Sequence, residues 1–300
     1  MIETFSADLP QGITLSCRAA GPPGAPVLLF LHGFPEAAFV WDDLLLHFAG
    51  RYRCIAPNLR GYERSSAPAE VEAYRVKHLV ADLLALVDGL GGAVVAVVAH
   101  DWGGALAWCF AAQHPRALKR LVIVNAPHPA TLLRELRDNP AQQASSAYMN
   151  FLCRPDAEAL LAEDDFARLW RFFADLGASG VTPTDADWLT PALRERYLSV
   201  WRAGLRGPCN YYRASPLRPP VAGVDNPLAT LQLPASLTTV TVPTRVVWAE
   251  ADVALPPCLL DGLEAHVPQL TVRRVPGATH WIVHERPQLI ADEVERALAG

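Results

Sequence analysis

The 300-residue sequence predicts an α/β protein: a mostly parallel, doubly wound sheet with one all-helical segment inserted into it. Three observations carry this expectation. Short apolar runs rich in Val, Ile and Leu recur along the chain, stretches of helical periodicity fall between them, and the alternation lapses once, between Pro129 and about Pro216. Runs without polar alternation suit strands covered on both faces, and strands that alternate with helices imply a parallel sheet.

In chain order the strand-like runs are PVLLFLHG (26–33), YRCIAPN (52–58), AVVAVVAH (93–100), LVIVNAP (121–127), TRVVWAE (244–250) and LTVRRVP (270–276). Helical spacing of apolar residues marks Trp41 to Ala49, Val76 to Leu90, Ala105 to His114 and the C-terminal ERPQLIADEVERALAG. Within the lapse, Leu132 to Leu136, Phe166 to Phe173 and Leu193 to Trp201 read as helices with no strand among them. The expected division is a core of residues 1–128 and 217–300 with a helical cap over 129–216. Such a cap lies over the carboxyl ends of the strands, where α/β folds bind ligands. Gly-Pro at 207–208 and Pro-Pro at 219–220 punctuate its exit.

Composition narrows the function. With 51% hydrophobic and 19% charged residues the chain supports one sizeable core and an insertion. A formal charge of -5 and a pI near 6.0 provide no basic field, which argues against nucleic acid as a partner. The N-terminus lacks a secretory pattern and no apolar run approaches the roughly 18 to 20 residues of a membrane span, so a cytoplasmic protein with no membrane partner is expected. The six cysteines are scattered, without metal-ligand spacing, and read as free thiols. No metal is implied, and either a monomer or a homodimer fits.

Chemistry concentrates at strand ends. Ala99-His100-Asp101-Trp102-Gly103 has the form small-x-nucleophile-x-small between a strand and a helix, which is the pattern of a nucleophile elbow. Its central residue is Asp101 rather than Ser. The alternative is that Asp101 caps a helix beginning near Gly103. Three further segments bear on the choice: His32-Gly33-Phe34-Pro35-Glu36, Ala249-Glu250-Ala251-Asp252 and Gly277-Ala278-Thr279-His280-Trp281.

With these four segments in this order, the sequence resembles α/β-hydrolases of the epoxide hydrolase type. The resemblance implies Asp101 as nucleophile, His280 as base in preference to His284, and Asp252 as its orienting acid in preference to Glu250. Asn125-Ala126-Pro127 leaves no carboxylate at the alternative acid position. It further implies that the backbone N–H groups of Phe34 and Trp102 form the oxyanion hole. Asn210-Tyr211-Tyr212-Arg213 resembles the family's lid segment with a ring-opening tyrosine, which corresponds to Tyr212. Tyr211 replaces the usual Trp, so the assignment between the two stays open. Tyr148, seven residues before Pro155, corresponds to the first lid tyrosine.

An aspartate nucleophile selects its substrates. Attack on an ester or amide would form a mixed anhydride, an uphill product, whereas attack on a saturated carbon with a leaving group forms a stable alkyl ester that base-activated water can hydrolyse. The expected reaction is therefore opening of an epoxide to a vicinal diol, a detoxification chemistry without a cofactor, whose partners are a small hydrophobic epoxide and water. The expected pocket is apolar, with Phe34, Trp102, Phe151, Tyr211 and Trp281 among its walls. A haloalkane or haloacid dehalogenase is the alternative, because the Trp102 indole offers an N–H to a halide. Against it, Phe34 stands where haloalkane dehalogenases typically carry Asn. A non-catalytic binding protein on the same fold is the remote alternative. Two positions depart from the family pattern: Asn58 stands where Asp is usual, and Glu63 where Gly is usual.

Overall fold

The structure is a computed structural model that describes residues 1–176, 188–221 and 223–300. Its strands are β1 (Glu3–Asp8), β2 (Thr14–Ala20), β3 (Val27–Leu31), β4 (Arg53–Pro57), β5 (Val94–His100), β6 (Leu118–Val124), β7 (Thr244–Ala249) and β8 (Leu270–Val275). They form one eight-stranded sheet in the order β1-β2-β4-β3-β5-β6-β7-β8. β2 pairs antiparallel with both β1 and β4, and every other pairing is parallel.

The apolar runs form the central strands, with Leu28 to Leu31, Val97 to Ala99 and Leu121 to Val124 excluded from solvent. β1 and β2 were not anticipated. β1 has an exposed ETFSAD sequence and β2 alternates between half-buried and buried residues. Strands at an antiparallel edge keep one wet face and lack the continuous apolar signature of the centre. The other edge strand, β8, exposes Thr271 to Arg274.

From β3 the chain moves outward to β4 and then returns to the other side of β3 as β5. The carboxyl ends of β3 and β5 therefore flank the switch point where open α/β sheets bind ligands. The helix Val76–Gly89 buries Leu79, Val80, Leu83, Leu86 and Val87 along one stripe. Asp82 on the same face is buried because Arg60 pairs with it in a fork, at 2.7 and 2.6 Å.

Between β6 and β7 the described residues are helical: Pro129–Asp138, Pro140–Ser145, Ala147–Leu152, Ala157–Asp175, Pro191–Ala203 and Arg206–Ala214, before a short turn Ala235–Thr238. Proline opens three of these helices, at the position where the missing N–H costs nothing. Residues 163 to 166 break the geometry of Ala157–Asp175. An aromatic cluster of Trp170, Phe173, Tyr197 and Trp201 holds the insertion together, and Trp281 from the core stacks on Phe173 at 4.0 Å. Residues 177–187, inside the expected cap, lie outside the described residues.

The two departures from the family pattern explain each other. Glu63 adopts φ +51, the left-handed conformation that favours glycine. Its carboxylate accepts from Asn58 Nδ2 and from Ser16 Oγ, the latter at 2.9 Å, while Asn58 Oδ1 accepts from Ala38 N at 2.8 Å. The negative charge absent at 58 is thus supplied from 63. All six cysteines are free, and burial pushes the Cys17, Cys54, Cys109 and Cys209 thiols up to about 12. No helix among the described residues is long and apolar enough to cross a membrane.

Candidate active site

β5 ends at His100 and the next helix, Asp101–Gln113, begins on Asp101 itself, at φ +48. A non-glycine residue in the left-handed region is strained, and such strain persists only where the surroundings enforce it. Here they do. A Cβ on Gly103 would lie 2.5 Å from the carbonyl oxygens of both Leu31 and His32, and one on Gly33 would lie 2.2 Å from Asp101 Oδ1. The turn closes only because both positions are glycine. The capping alternative is overturned: the cap position is His100, and the Asp101 carboxylate instead accepts the Phe34 N–H at 2.6 Å. Trp102, second in the helix, has an N–H without an intrahelical acceptor.

His280 lies in the loop after β8, with Nδ1 2.7 Å from Asp252 Oδ2 and Nε2 3.9 Å from Asp101 Oδ2. A carboxylate only accepts, so Nδ1 carries the proton and Nε2 faces the Asp101 carboxylate. Asp252 is fully engaged: Asn125 Nδ2 donates to Oδ2 at 2.8 Å, and the Ala254 and Leu255 N–H groups donate to Oδ1 at 2.9 and 3.0 Å. Burial raises its carboxyl, but the His280 charge and these hydrogen bonds outweigh that and hold it low. Burial pulls the His280 imidazolium down; the charge and hydrogen bond of Asp252, then Asp101 and Glu36, raise it to about 9. Glu250 points away, with Arg274 3.5 Å from it at the surface. His284 is not beside Asp101; its Nε2 bonds Glu36 Oε1 at 2.8 Å.

Asp101, Trp102, Tyr148 and Tyr212 line one cavity of about 90 Å³, closed by apolar side chains that include Leu132, Met149 and Leu217. The rings of Tyr148 and Tyr212 stand 6.0 Å apart. Burial, reinforced by the Asp101 charge, pushes both phenols well above their ordinary value, so both remain proton donors. Tyr211 is one residue away on the same helix, about 100° around its axis, and its hydroxyl donates to the Arg60 carbonyl at 2.9 Å.

Four expected pocket residues lie outside this cavity. Tyr211 packs among Tyr62, Tyr74 and Trp102. The Phe34 ring packs edge-on against Tyr212 and Phe172. Trp281 donates its indole N–H to the Phe173 carbonyl at 3.0 Å, and Phe151 lies under the Arg168 guanidinium. Aromatic identity and proximity in sequence could not reveal which way each ring turns. Sequence reasoning also missed Asn125, which holds Asp252 with one end and accepts the Ala249 N–H at 2.6 Å with the other. An amide at the end of a fully buried strand was the available signal. Among the described residues no group of three His, Cys, Asp or Glu side chains is placed to hold a metal ion.

The α/β hydrolase fold family matches residues 26–287, and the chain belongs to it. Epoxide hydrolase 4 of Mus musculus is 31% identical over 286 residues, spanning 93% of this chain and 75% of that protein. A solved structure described under novel epoxide hydrolases from metagenomes of hot environments superposes with a TM-score of 0.88 at 38% identity, covering 100% of this chain and 99% of its own. A mutant epoxide hydrolase from Bacillus megaterium, complexed with its naphthyloxy-propane-1,2-diol product, has a TM-score of 0.89 at 28% identity, covering 99% and 100%. Within the α/β hydrolases this chain therefore falls among the epoxide hydrolases.

Proposed function

We propose that this protein opens small apolar epoxides to vicinal diols through a covalent ester on Asp101. The observation that carries the reading is one cavity shared by a carboxylate and two phenols, Asp101 with Tyr148 and Tyr212. The stretch 129–216 acts as the lid that supplies the phenols, and residues 1–128 and 217–300 act as the core that supplies the triad.

Asp101 Oδ1 is engaged by the Phe34 N–H, which leaves Oδ2 to attack the less hindered ring carbon. The C–O bond breaks with its electron pair on oxygen, and a phenol proton from Tyr148 or Tyr212 neutralises the alkoxide. Raised phenol pKa values do not obstruct this, because an alkoxide is more basic still. His280 Nε2 then takes a proton from water as the water oxygen attacks the ester carbonyl carbon. The Phe34 and Trp102 N–H groups receive the oxyanion, and collapse releases the diol and restores the Asp101 carboxylate. The proton held by His280 returns to the tyrosinate. Phenolic O–H donors suit a developing alkoxide, which favours an epoxide over a halide.

The test is mass spectrometry of the His280→Gln variant mixed with styrene oxide and with a short alkyl epoxide. The expected result is a covalent adduct on the peptide that carries Asp101, absent from Asp101→Asn. A folded His280→Gln variant with no adduct from either epoxide, together with no diol from the wild type, would overturn the reading.

A further inference from the structure

We propose that two lid residues, Tyr197 and Trp201, position the oxyanion donor Phe34 and thereby control hydrolysis of the covalent ester; this rests on the mechanism proposed above. Phe34, Pro35 and Glu36 are consecutive, and the lid helix Pro191–Ala203 grips two of the three. Trp201 Nε1 donates to the Pro35 carbonyl at 2.8 Å. Tyr197 donates its hydroxyl proton to Glu36 Oε1 at 2.7 Å. The two side chains are four residues apart and so lie on one helix face.

Glu36 is fully buried, and its charge makes the anchor firm. His284 Nε2 also reaches Oε1, at 2.8 Å, and His100 Nδ1 stands 3.3 Å from Oε2. The same helix holds the following residues too: the Tyr197 ring packs on Phe39 at 4.9 Å, and Arg196 pairs with Asp42 at 2.7 Å. From the other side, lid residues Tyr212 and Phe172 pack edge-on against the Phe34 ring. The loop bearing the donor is thus clasped by the lid at successive residues, while Asp101 is held by the core. Oxyanion donors act only within a few tenths of an ångström of the right place.

The two chemical steps use this N–H in opposite ways. Before alkylation it stabilises the Asp101 carboxylate, which restrains the nucleophile. During ester hydrolysis it receives the charge that develops on the same oxygen. Displacing the donor therefore slows hydrolysis without slowing alkylation, so ester accumulates. A residue that only held the fold together would depress both steps.

The experiment is single-turnover rapid quench with styrene oxide, following the adduct on the Asp101 peptide in Tyr197→Phe and Trp201→Phe, which keep an aromatic ring; the first loses the hydroxyl's contacts with Glu36 and with His284 Nε2, 2.9 Å away, and the second its bond to Pro35. The expected result is alkylation within about 2-fold of wild type and hydrolysis slowed by about 10-fold or more. Arg202→Ala, on the exposed side of the same helix, leaves both rates unchanged. Equal losses in both steps, or no change in hydrolysis, overturn the positioning role. Loss of fold in both variants, read by circular dichroism, also counts against it, because the contact is then structural. If the wild type and His280→Gln never form an ester, the proposed mechanism falls first; an ester hydrolysed at the wild-type rate in both lid variants refutes this inference alone.

Discussion

In the unreacted protein His280 Nε2 stands 3.9 Å from Asp101 Oδ2, and both side chains are largely withdrawn from water. Against the downward pull of burial, Asp252, Asp101 and Glu36 together raise the imidazolium to about 9. In the proposed mechanism, alkylation converts the Asp101 carboxylate into a neutral ester and removes one of those charges. Two unit charges at this separation interact by about 4 kcal/mol at an effective dielectric constant of about 20, which corresponds to about three pH units. That value is a ceiling, because the Asp101 side chain keeps 13% of its exposure and water screens it. The sign is fixed by the charge: a neighbouring anion favours the protonated ring, so losing it frees Nε2 at lower pH. On the proposed mechanism the base is therefore armed by the reaction that creates its substrate. The assay has two arms: His280 is titrated in the free protein by NMR, and the rate of ester hydrolysis is measured after a pH jump on preformed adduct. Hydrolysis is expected to rise with pH about a midpoint at least about one pH unit below the free-protein value. Coincident midpoints would refute the electrostatic argument.

Other outcomes follow from the same contacts. Asn125→Ala strips one donor from Asp252 and leaves the buried Ala249 N–H unpaired, an expected loss of about 1–3 kcal/mol in urea unfolding with slower ester hydrolysis. An unaltered hydrolysis rate would mean that Asp252 does not need this support. Tyr212→Phe is expected to slow alkylation by about 10-fold or more, whereas Tyr211→Phe, whose hydroxyl is spent on the Arg60 carbonyl, leaves alkylation intact; the reverse order would exchange their roles. Arg60→Ala leaves the buried Asp82 carboxylate without its opposing charge, with the Gln11 amide still donating to it at 2.6 Å, and is expected to cost about 3–5 kcal/mol of stability. A chemical-denaturation midpoint close to wild type would show that Asp82 finds another partner. Gly103→Ala drives a Cβ against two backbone carbonyls that cannot move aside, so little folded protein is expected by circular dichroism.

The central strands were legible because burial on both faces demands continuous apolar runs, and each of the six runs became a strand within a few residues. The N-terminal pair was not, since an edge strand with one wet face resembles a loop in composition. The lapse of strand-like runs and the Gly-Pro and Pro-Pro dipeptides at its exit marked the insertion, but not how the rings of Phe151, Tyr211 and Trp281 would turn. The paired change at Asn58 and Glu63 was visible only as two unrelated oddities. Their positions five apart say nothing of the left-handed turn that brings one side chain to the other.

The sequence by itself determined the parts of the site: a carboxylate on an elbow between small residues, a histidine and an acid at later strand ends, and tyrosines in the insertion. Local chemistry writes these into short motifs, because a tight turn needs glycine and a buried strand needs apolar residues. Only the tertiary structure decided which of Glu250 and Asp252 meets His280, which of Tyr211 and Tyr212 shares a cavity with Asp101, that Asn125 holds Asp252, and that Tyr197 and Trp201 bond Glu36 and Pro35. Those choices depend on distances of a few ångströms between residues up to 166 positions apart. Spacing along the chain carries no record of them, because close packing, not local preference, selects which polar groups meet in the interior.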